Sequence, residues 1–313
     1  MSVKSLNKKM SNIIEWSAGV NNYRKMTMIV DPETNEHKYN TELLDVEMSG
    51  ITDLHELYRM HLSERQTKYV EVLYSGGVDS ELVLISCLHN KIPVRALTMR
   101  LSYKGIVVNT HDLYYAEKFC RERGIEQKIV DIDAYDFWAS GPLYEYLGPY
   151  YIPFPHVGTF LWMFEQATGF PVYGGDYNWP HLHKPVISPT KHSYGMFDKF
   201  LQDRGIHGIS NMMSHSLDSL SVFLKTHIKV YSDEKHYIEG IGLPTLKQDV
   251  LRELGVTGLE PRLKSYGFEG VPKHAILHIK IADLVGKTTS TISWNKTIAD
   301  ILGSECPGFN DQF

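Results

Sequence analysis

The sequence predicts an α/β fold, a doubly wound parallel sheet with a small N-terminal cap and a helical C-terminal region. An apolar strand pattern at 69–74 runs through a glycine turn into an apolar helix pattern. Two further strand patterns, at 93–99 and 127–132, enclose a helix pattern at 109–123 that Gly124 ends. This β-α-β-α-β order favours parallel strands with right-handed crossovers. The ligand site is then expected at the carboxyl ends of the strands.

Residues 1–64 are predicted to form the cap, and residues 65–313 the main domain. An alternating run at 25–30, a turn composition after it and a second run at 37–39 indicate a β-hairpin. A helix is predicted over 52–65, with Asp53 near its start and apolar residues at helical spacing, namely Leu54, Leu57, Tyr58 and Leu62. The cap sequence contains no recognisable catalytic pattern.

The second half of the main domain is predicted to be mostly helical. The Tyr-, Pro- and Gly-rich stretch at 141–155 stays unassigned, and a helix is expected over 157–168 with Gly169 ending it. A short strand at 171–173 follows and ends in glycines. Residues 177–195 have a loop composition, and helical patterns return at 212–227, 245–254 and 273–285.

Composition and charge limit the class of function. The chain has 313 residues, 42% of them hydrophobic, and a formal net charge of −5, which is typical of a globular protein without a broad basic surface. The charge therefore argues against a nucleic acid partner. No apolar run of membrane-spanning length and no signal-peptide core are seen, so no membrane association and a cytoplasmic localisation are expected.

Cysteines and loop histidines give no metal pattern. The three cysteines form no CxxC pair, and the first two lie on apolar helix faces that predict a core role: Cys87, Cys120 and Cys306. Three histidines lack a Cys or carboxylate partner and are better suited to contact substrate or phosphate: His181, His183 and His192. Four aromatic residues are predicted to be core: Trp162, Phe164, Phe197 and Phe200.

A glycine turn with two hydroxyls and one carboxylate directly follows the first strand of the main domain: Ser75-Gly76-Gly77-Val78-Asp79-Ser80. Adjacent glycines permit positive φ and close backbone approach to a ligand, and the following helix directs unpaired N–H groups at an anion. A carboxylate beside a polyphosphate is repelled unless a divalent cation lies between them. The turn therefore predicts a phosphate site in which Asp79 binds Mg²⁺.

This hexapeptide resembles the pyrophosphate-binding loop of the PP-loop ATP pyrophosphatases, the adenine nucleotide alpha hydrolase-like superfamily. The resemblance implies an enzyme that cleaves ATP between the α- and β-phosphates. It implies a nucleotide site made of Tyr74, Ser75, Gly76, Gly77, Val78, Asp79 and Ser80. An Asp at the fifth place of the loop, here Asp79, resembles the branch of the superfamily whose members adenylate an oxygen atom. Met99 matches the position that contacts the base, ahead of Leu97, and the main chain of Tyr74 and Met99 is expected to read the base edge.

A second motif of glycines and an acid, Gly174-Gly175-Asp176, ends the strand at 171–173. It places a carboxylate at the same sheet edge as Asp79, so Asp79 and Asp176 are predicted to share Mg²⁺. The motif is similar to one that contributes to the metal and pyrophosphate site of asparagine synthetase and β-lactam synthetase, with Gly174 and Gly175 beside the nucleotide. The longer acidic pattern of asparagine synthetase is replaced by Tyr177-Asn178-Trp179-Pro180, which leaves the substrate open.

A basic pattern near the C-terminus resembles the same synthetase domain, and the similarity spans about residues 52–270. Lys247, Arg252 and the run at 262–269 match a Lys-then-Arg-x-Lys-x-x-Gly-Phe pattern. Attack on the α-phosphate builds negative charge on phosphoryl oxygens, and a cation held there stabilises the transition state more than the ground state. Lys264 is predicted to be that catalytic cation, with Arg262 as the second choice.

These features predict an ATP- and Mg²⁺-dependent ligase that adenylates a carboxylate or carbonyl-like oxygen of a small-molecule substrate and releases AMP and pyrophosphate. A nitrogen nucleophile then displaces AMP. The chain begins Met1-Ser2 and has no cysteine before Cys87, so the cysteine glutaminase of asparagine synthetase is not expected. The nitrogen then comes from free ammonia, from an amine of the substrate or from a donating partner protein. The sequence does not decide the oligomeric state, and a homo-oligomer is one possibility.

Two alternatives remain. A tRNA or metabolite thiolation enzyme uses a related loop, but a reactive cysteine pair and a basic RNA-binding domain are not evident in the sequence. Nitrile-forming enzymes of queuosine-precursor synthesis also resemble the loop, yet they carry a four-cysteine zinc site and this chain has three cysteines. A nucleotide-binding module without activity is the other alternative. Asp79 and Asp176 argue against it, because nucleotide binding alone does not require metal carboxylates.

Overall fold

A computed structural model of the chain describes residues 12–18, 24–30, 37–43, 50–63, 69–139, 143–150, 152, 154–175, 194–230, 247–260, 262, 267–272 and 274, and four single positions, 281, 298, 300 and 302. This part of the chain contains an N-terminal antiparallel sheet and a mainly parallel sheet. Within these residues, none of the helices combines the length and apolar composition that a bilayer crossing requires.

The N-terminal sheet is a three-stranded meander of β1 (Asn12–Ala18), β2 (Arg24–Val30) and β3 (His37–Leu43). The predicted hairpin corresponds to β2 and β3 and is confirmed. Strand β1 was not predicted, because the adjacent apolar residues Ile13 and Ile14 interrupt the alternation that marks a half-buried strand. The division of the chain after residue 64 stays a prediction.

Helix α1 (Leu54–Ser63) confirms the helix predicted at 52–65. It begins after Asp53, whose Oδ1 accepts the N–H groups of His55 and Glu56 at 2.9 and 3.1 Å. An aspartate in this position satisfies amides that lack intrahelical partners. The predicted apolar residues are buried, and α1 packs against α2 (Val78–His89), which follows the glycine turn.

The main sheet has four parallel strands in the order β7-β5-β4-β8. These are β4 (Val70–Leu73), β5 (Val94–Tyr103), β7 (Glu126–Asp133) and β8 (Phe170–Tyr173). The two-residue strand β6 (Ile106–Val107), which was not predicted, pairs antiparallel with the end of β5. Helix α3 (Thr110–Arg123) ends at Gly124, which has φ +65° as expected of a helix C-cap. In chain order the four parallel strands lie 3-2-1-4, so the order reverses between β4 and β8.

The sheet has a core on each face, which confirms the doubly wound α/β class. Val72 of β4 and Ala96 of β5 belong to a core with α1, α2 and α3. Their neighbours Leu73 and Leu97 belong to the other core. Successive strand residues point to opposite faces, so the two cores lie on opposite sides of the sheet. The second core is formed by α4 (Ala134–Ala139), α5 (Leu143–Leu147), α6 (Pro155–Glu165) and α7 (Tyr194–Arg204).

Several helix boundaries differ from the predictions. Helix α6 begins two residues earlier than predicted and ends at Glu165, with Gln166 as its C-cap in place of Gly169. Gly169 serves a different purpose, because a Cβ there would lie 2.5 Å from the Tyr69 ring. Two helices follow in the C-terminal region, α8 (Leu217–Val230) and α9 (Lys247–Glu253). The helix predicted at 273–285 lies outside the described residues except for positions 274 and 281, both helical.

The predicted aromatic core is confirmed at Phe164, Phe197 and Phe200, which are fully buried, whereas Trp162 is half-buried. Helix α7 begins at Tyr194, inside the stretch predicted as a loop, and contributes Phe197 and Phe200. Polar residues around this helix start hide its apolar stripe, so the local pattern misses it.

Phe197→Ala tests the core assignment of α7. Removing a fully buried phenyl ring is expected to lower the free energy of unfolding by about 3–5 kcal/mol, because the lost contacts leave a cavity. Ile106→Ala is the control, since this side chain is 71% exposed, and its effect is expected within about 0.5 kcal/mol. Urea unfolding of both variants measures the difference, and equal midpoints would contradict the packing described.

Candidate nucleotide site

The turn between β4 and α2 passes close to α3 and leads directly into a helix N-terminus. Gly76 has φ +83°, and a Cβ there would lie 2.5 Å from the Asp112 carbonyl oxygen of α3. Gly77 is the N-cap of α2, and no side chain makes a capping hydrogen bond to it. Unpaired N–H groups at a helix N-terminus attract anions. The predicted phosphate loop therefore has the geometry that an anion site requires.

Side chains of the predicted loop differ in exposure. Tyr74 and Val78 are buried, so only their main chain can contact a nucleotide. Ser75 is exposed and Asp79 is half-buried. The Ser80 hydroxyl donates to the Gly77 carbonyl at 3.4 Å, a long bond that a ligand can replace. The loop thus offers backbone amides, hydroxyls and one carboxylate.

The second predicted motif meets the first turn of α2. A Cβ on Gly174 would lie 2.5 Å from the Ser80 nitrogen and 2.7 Å from the Asp79 carbonyl oxygen. Gly175 has φ +81° and lies against Asn211, whose Oδ1 would be 2.0 Å from its Cβ. A larger residue at Gly174 would separate the two motifs, and one at Gly175 would displace Asn211. Asp176 lies outside the described residues, so its share in a metal site stays a prediction.

Asn211 is a site residue that the sequence did not indicate. Ile209 forms a parallel bridge with Val172 of β8, and Tyr173 donates its N–H to the Ile209 carbonyl at 2.9 Å. This bridge carries the buried Asn211 to the carboxyl edge of the sheet beside Gly175. The only sequence signal is a single apolar residue between Gly208 and Ser210, which is too short to predict a strand.

Oxygen donors at this edge suit Mg²⁺. Asp79 supplies a carboxylate in the first turn of α2, and Asn211 supplies an amide oxygen nearby; hard cations of this size prefer such ligands. The described residues contain no group of three His, Cys, Asp or Glu that could hold a metal by themselves.

Tyr58 of α1 brings the N-terminal helix close to Asp79. Burial, followed by the Asp79 charge, raises the pKa of Tyr58 well above its ordinary value, so the hydroxyl stays protonated. The Tyr58 side chain is fully buried, and its hydroxyl has no hydrogen-bond partner in the described part of the chain. The helix predicted to belong to a cap without chemistry thus borders the predicted metal ligand.

Met99, the predicted base-contacting residue, is half-buried in the middle of β5, two residues beyond the last pair that β5 forms with β4. Its carbonyl accepts a hydrogen bond from Asn109 Nδ2 at 2.9 Å, while Asn109 Oδ1 accepts the Leu101 N–H at 2.9 Å. Since a carbonyl oxygen has two lone pairs, the Met99 carbonyl retains acceptor capacity. Leu97 is fully buried, so its side chain has no surface to offer a base, and the contact of Met99 with the base stays a prediction.

Arg262 is buried and pairs with Glu81 of α2, with Arg262 Nη2 at 2.5 Å from Glu81 Oε2. Gly267 lies against Asp112 of α3, the residue that Gly76 of the turn also approaches, and a Cβ on Gly267 would be 2.6 Å from Asp112 Oδ2. The C-terminal segment therefore lies beside the loop, as the resemblance implies. Lys264 lies outside the described residues, and its catalytic role stays a prediction.

The remaining candidates fall into two groups. Burial raises the pKa of the Cys87 and Cys120 thiols to about 12, which confirms that both are inert core residues. Four others lie outside the described residues: His181, His183, His192 and Cys306.

Comparison with curated proteins finds one short similarity, and no family model matches the chain. Over 63 residues the chain is 40% identical to a 7-cyano-7-deazaguanine synthase from Marinomonas sp. (strain MWYL1). The matched region covers 20% of this chain and 27% of that protein. The chain therefore matches about a quarter of the length of this curated relative.

Three solved structures are similar to the chain at low identity. A predicted subunit of a tRNA methyltransferase from Methanocaldococcus jannaschii is 18% identical, with a TM-score of 0.33, over 62% of this chain and 95% of that chain. The glutamine-dependent NAD⁺ synthetase from Acinetobacter baumannii, in complex with ADP, is 13% identical, with a TM-score of 0.30. This match covers 92% of this chain and 52% of that chain. The U34-tRNA thiolase NcsA from Methanococcus maripaludis, with its 4Fe-4S cluster, is 18% identical, with a TM-score of 0.28. This match covers 66% of this chain and 80% of that chain.

Gly174→Ala tests whether the two motifs form one site. The added methyl group would lie 2.5 Å from the Ser80 nitrogen and is expected to move β8 away from the loop, weakening binding of Mg²⁺-ATP by about 10-fold or more. Isothermal titration calorimetry measures the affinity.

Gly205→Ala is the matched control. Gly205 has φ +63° but open space around its Cβ, so a substitution costs about 1 kcal/mol of stability through the backbone alone. ATP affinity of this variant is expected to equal that of the unmodified protein. Equal affinity in both variants would argue against the shared site.

Proposed function

We propose that this protein is a PP-loop ATP pyrophosphatase, an ATP- and Mg²⁺-dependent ligase that adenylates an oxygen atom of a small molecule. The observation that carries the proposal is the meeting of Gly174 with the Asp79–Ser80 turn at the point where the strand order reverses. Open α/β sheets bind their ligands at such a point. The nucleotide would lie there with its pyrophosphate on the amides that begin α2.

The geometry supports cleavage between the α- and β-phosphates. Backbone amides of the turn and the N-terminus of α2 would stabilise the pyrophosphate leaving group, and Asp79 and Asp176 would hold Mg²⁺ against it. This arrangement leaves the α-phosphorus open to an attacking substrate oxygen. The phosphorus–oxygen bond to the β-phosphate breaks, and the products of this step are an adenylated substrate and pyrophosphate. Lys264 is the cation proposed to stabilise charge on the α-phosphate.

A nitrogen nucleophile is the proposed acceptor of the activated group. It would attack the carbon that bears the adenylate and release AMP, as in an amidation without a glutaminase. Ammonia, an amine of the substrate or a partner protein would supply this nitrogen, and the cytoplasm, where ATP is available, is the proposed location.

The short similarity to a 7-cyano-7-deazaguanine synthase supports chemistry of this general kind, because nitrile formation from a carboxylic acid also needs an activated oxygen and a nitrogen donor. A zinc site of four cysteines cannot form in one chain with three. We therefore propose a different substrate for this protein.

The product distribution tests the proposed reaction class. With extract metabolites and labelled ATP, AMP and pyrophosphate are the expected products, and ADP as sole product would contradict the class. Asp79→Asn is expected to lower AMP formation by about 100-fold, because the amide no longer balances the charge of Mg²⁺. The melting temperature of Asp79→Asn is the control for folding, and undiminished turnover would argue against the metal role of Asp79.

Thiol chemistry separates the ligase from the thiolation alternative. Because the pKa of both thiols is about 12, the thiolate is present at about one part in ten thousand at pH 8 and increases only as pH approaches that value. Cys87 and Cys120 are therefore expected to resist iodoacetamide at pH 8 in the folded protein, as mass spectrometry of tryptic peptides can show. Replacing each cysteine, including Cys306, by Ser is expected to preserve AMP formation. Loss of activity in any of these variants would favour sulfur transfer.

A further inference from the structure

A buried ion pair joins the C-terminal segment to the first turn of α2. Arg262 donates to Glu81 across 181 positions of sequence, and the two side chains are 5% and 0% exposed. The Arg262 guanidinium carbon also lies 5.3 Å from the centre of the Tyr115 ring in α3. A single cation thus bridges the two helices that flank the glycine turn.

Tyr74 completes the arrangement. Its hydroxyl donates to Glu81 Oε2 at 2.9 Å, the same oxygen that accepts from Arg262. Tyr74 is the last residue before the turn, and Glu81 lies in the first turn of the helix after it. The Glu81 carboxylate therefore ties together the two ends of the phosphate loop, and Arg262 holds that carboxylate in place.

We propose that Tyr74, Glu81 and Arg262 form a brace that keeps the phosphate loop in its nucleotide-binding geometry. This proposal rests on the proposed function of the loop. Arg262 is a positioning residue in this assignment, because its guanidinium lies in the core against Glu81. The brace couples ATP affinity to the docking of the C-terminal segment on α2 and α3.

The electrostatic environment of Glu81 suits a residue that fixes positions rather than one that adds stability. Burial raises the pKa of Glu81, and Arg262 and Tyr74 oppose that rise. A buried ion pair adds little stability relative to apolar residues of similar volume, whereas removal of one partner leaves an uncompensated charge. Positional constraint accounts for the pair better than stability does.

Other contacts hold the same segment without Arg262. Lys118 Nζ lies 2.7 Å from Glu260 Oε1, and Gln248 Nε2 donates to the Glu260 carbonyl at 2.7 Å. Arg123 donates to the Gly258 carbonyl at 3.2 Å. The segment is therefore expected to stay docked when the Glu81–Arg262 pair is replaced.

The double variant Glu81→Met/Arg262→Met tests the brace, since single variants would leave one buried charge unpaired and are expected to unfold more easily. Its melting temperature is expected to stay within a few degrees of the unmodified protein. The dissociation constant of Mg²⁺-ATP is expected to rise about 10-fold, because a loosened loop must be ordered on binding. Amides at 75–80 are expected to exchange about 10-fold faster with deuterium in the nucleotide-free protein.

Lys118→Met/Glu260→Met is the control pair on the same segment. It is partly exposed, so its removal is expected to change neither ATP affinity nor loop exchange by more than about twofold. Unchanged affinity and exchange in Glu81→Met/Arg262→Met would overturn the brace, and so would a loss of affinity that only parallels a loss of melting temperature. If the unmodified protein binds no ATP, the proposed function fails, while amide exchange still decides on the brace.

Discussion

The site depends on the parallel pairing of β4 with β8. Leu73 and Tyr173 are paired in register, so the chain leaves both strands at the same edge of the sheet. The helix that follows β4 then begins directly beside Gly174. Neighbouring strands are only about 4.8 Å apart, and a side chain at this position would fill the space that the first turn of α2 occupies. The absence of one Cβ therefore brings the glycine turn and the second motif into contact.

The first turn of α2 carries two carboxylates with opposite surroundings. Asp79 and Glu81 are two residues apart, and a helix rotates by about 200° over that distance, so they lie on opposite sides of α2. Asp79 is half-buried near the turn, whereas Glu81 is fully buried and paired with Arg262. Negative charge is favourable in the first turn of a helix, which suits carboxylates at both positions. The first turn of α2 thus has one carboxylate on the side of the predicted metal site and one in the protein core.

Local patterns in the sequence predicted the elements that form the centre of the sheet. Strands and helices with a clear hydrophobic period, such as β4, α2 and α3, could be predicted from their own residues alone. Two features were missed for different reasons: β6 is a two-residue strand that pairs with the adjacent end of β5 and is too short to show a pattern, whereas Asn211 lies beside Gly175 because Ile209 bridges to the distant β8. The pairing of Arg262 with Glu81 could not be predicted either, because no local pattern relates residues 181 positions apart.

The Arg262–Glu81 pair also changes the charge balance expected at the nucleotide. Mg²⁺ leaves ATP with net negative charge, and the N-terminus of α2 contributes only about half a positive charge. Arg262 cannot supply the rest, since its charge is already balanced by Glu81 in the core. The predicted catalytic cation is therefore expected to be a residue other than Arg262. Lys264 lies two positions further along the sequence and is the other cation that the C-terminal pattern predicts. The buried ion pair therefore favours Lys264 over Arg262 as the proposed catalytic cation.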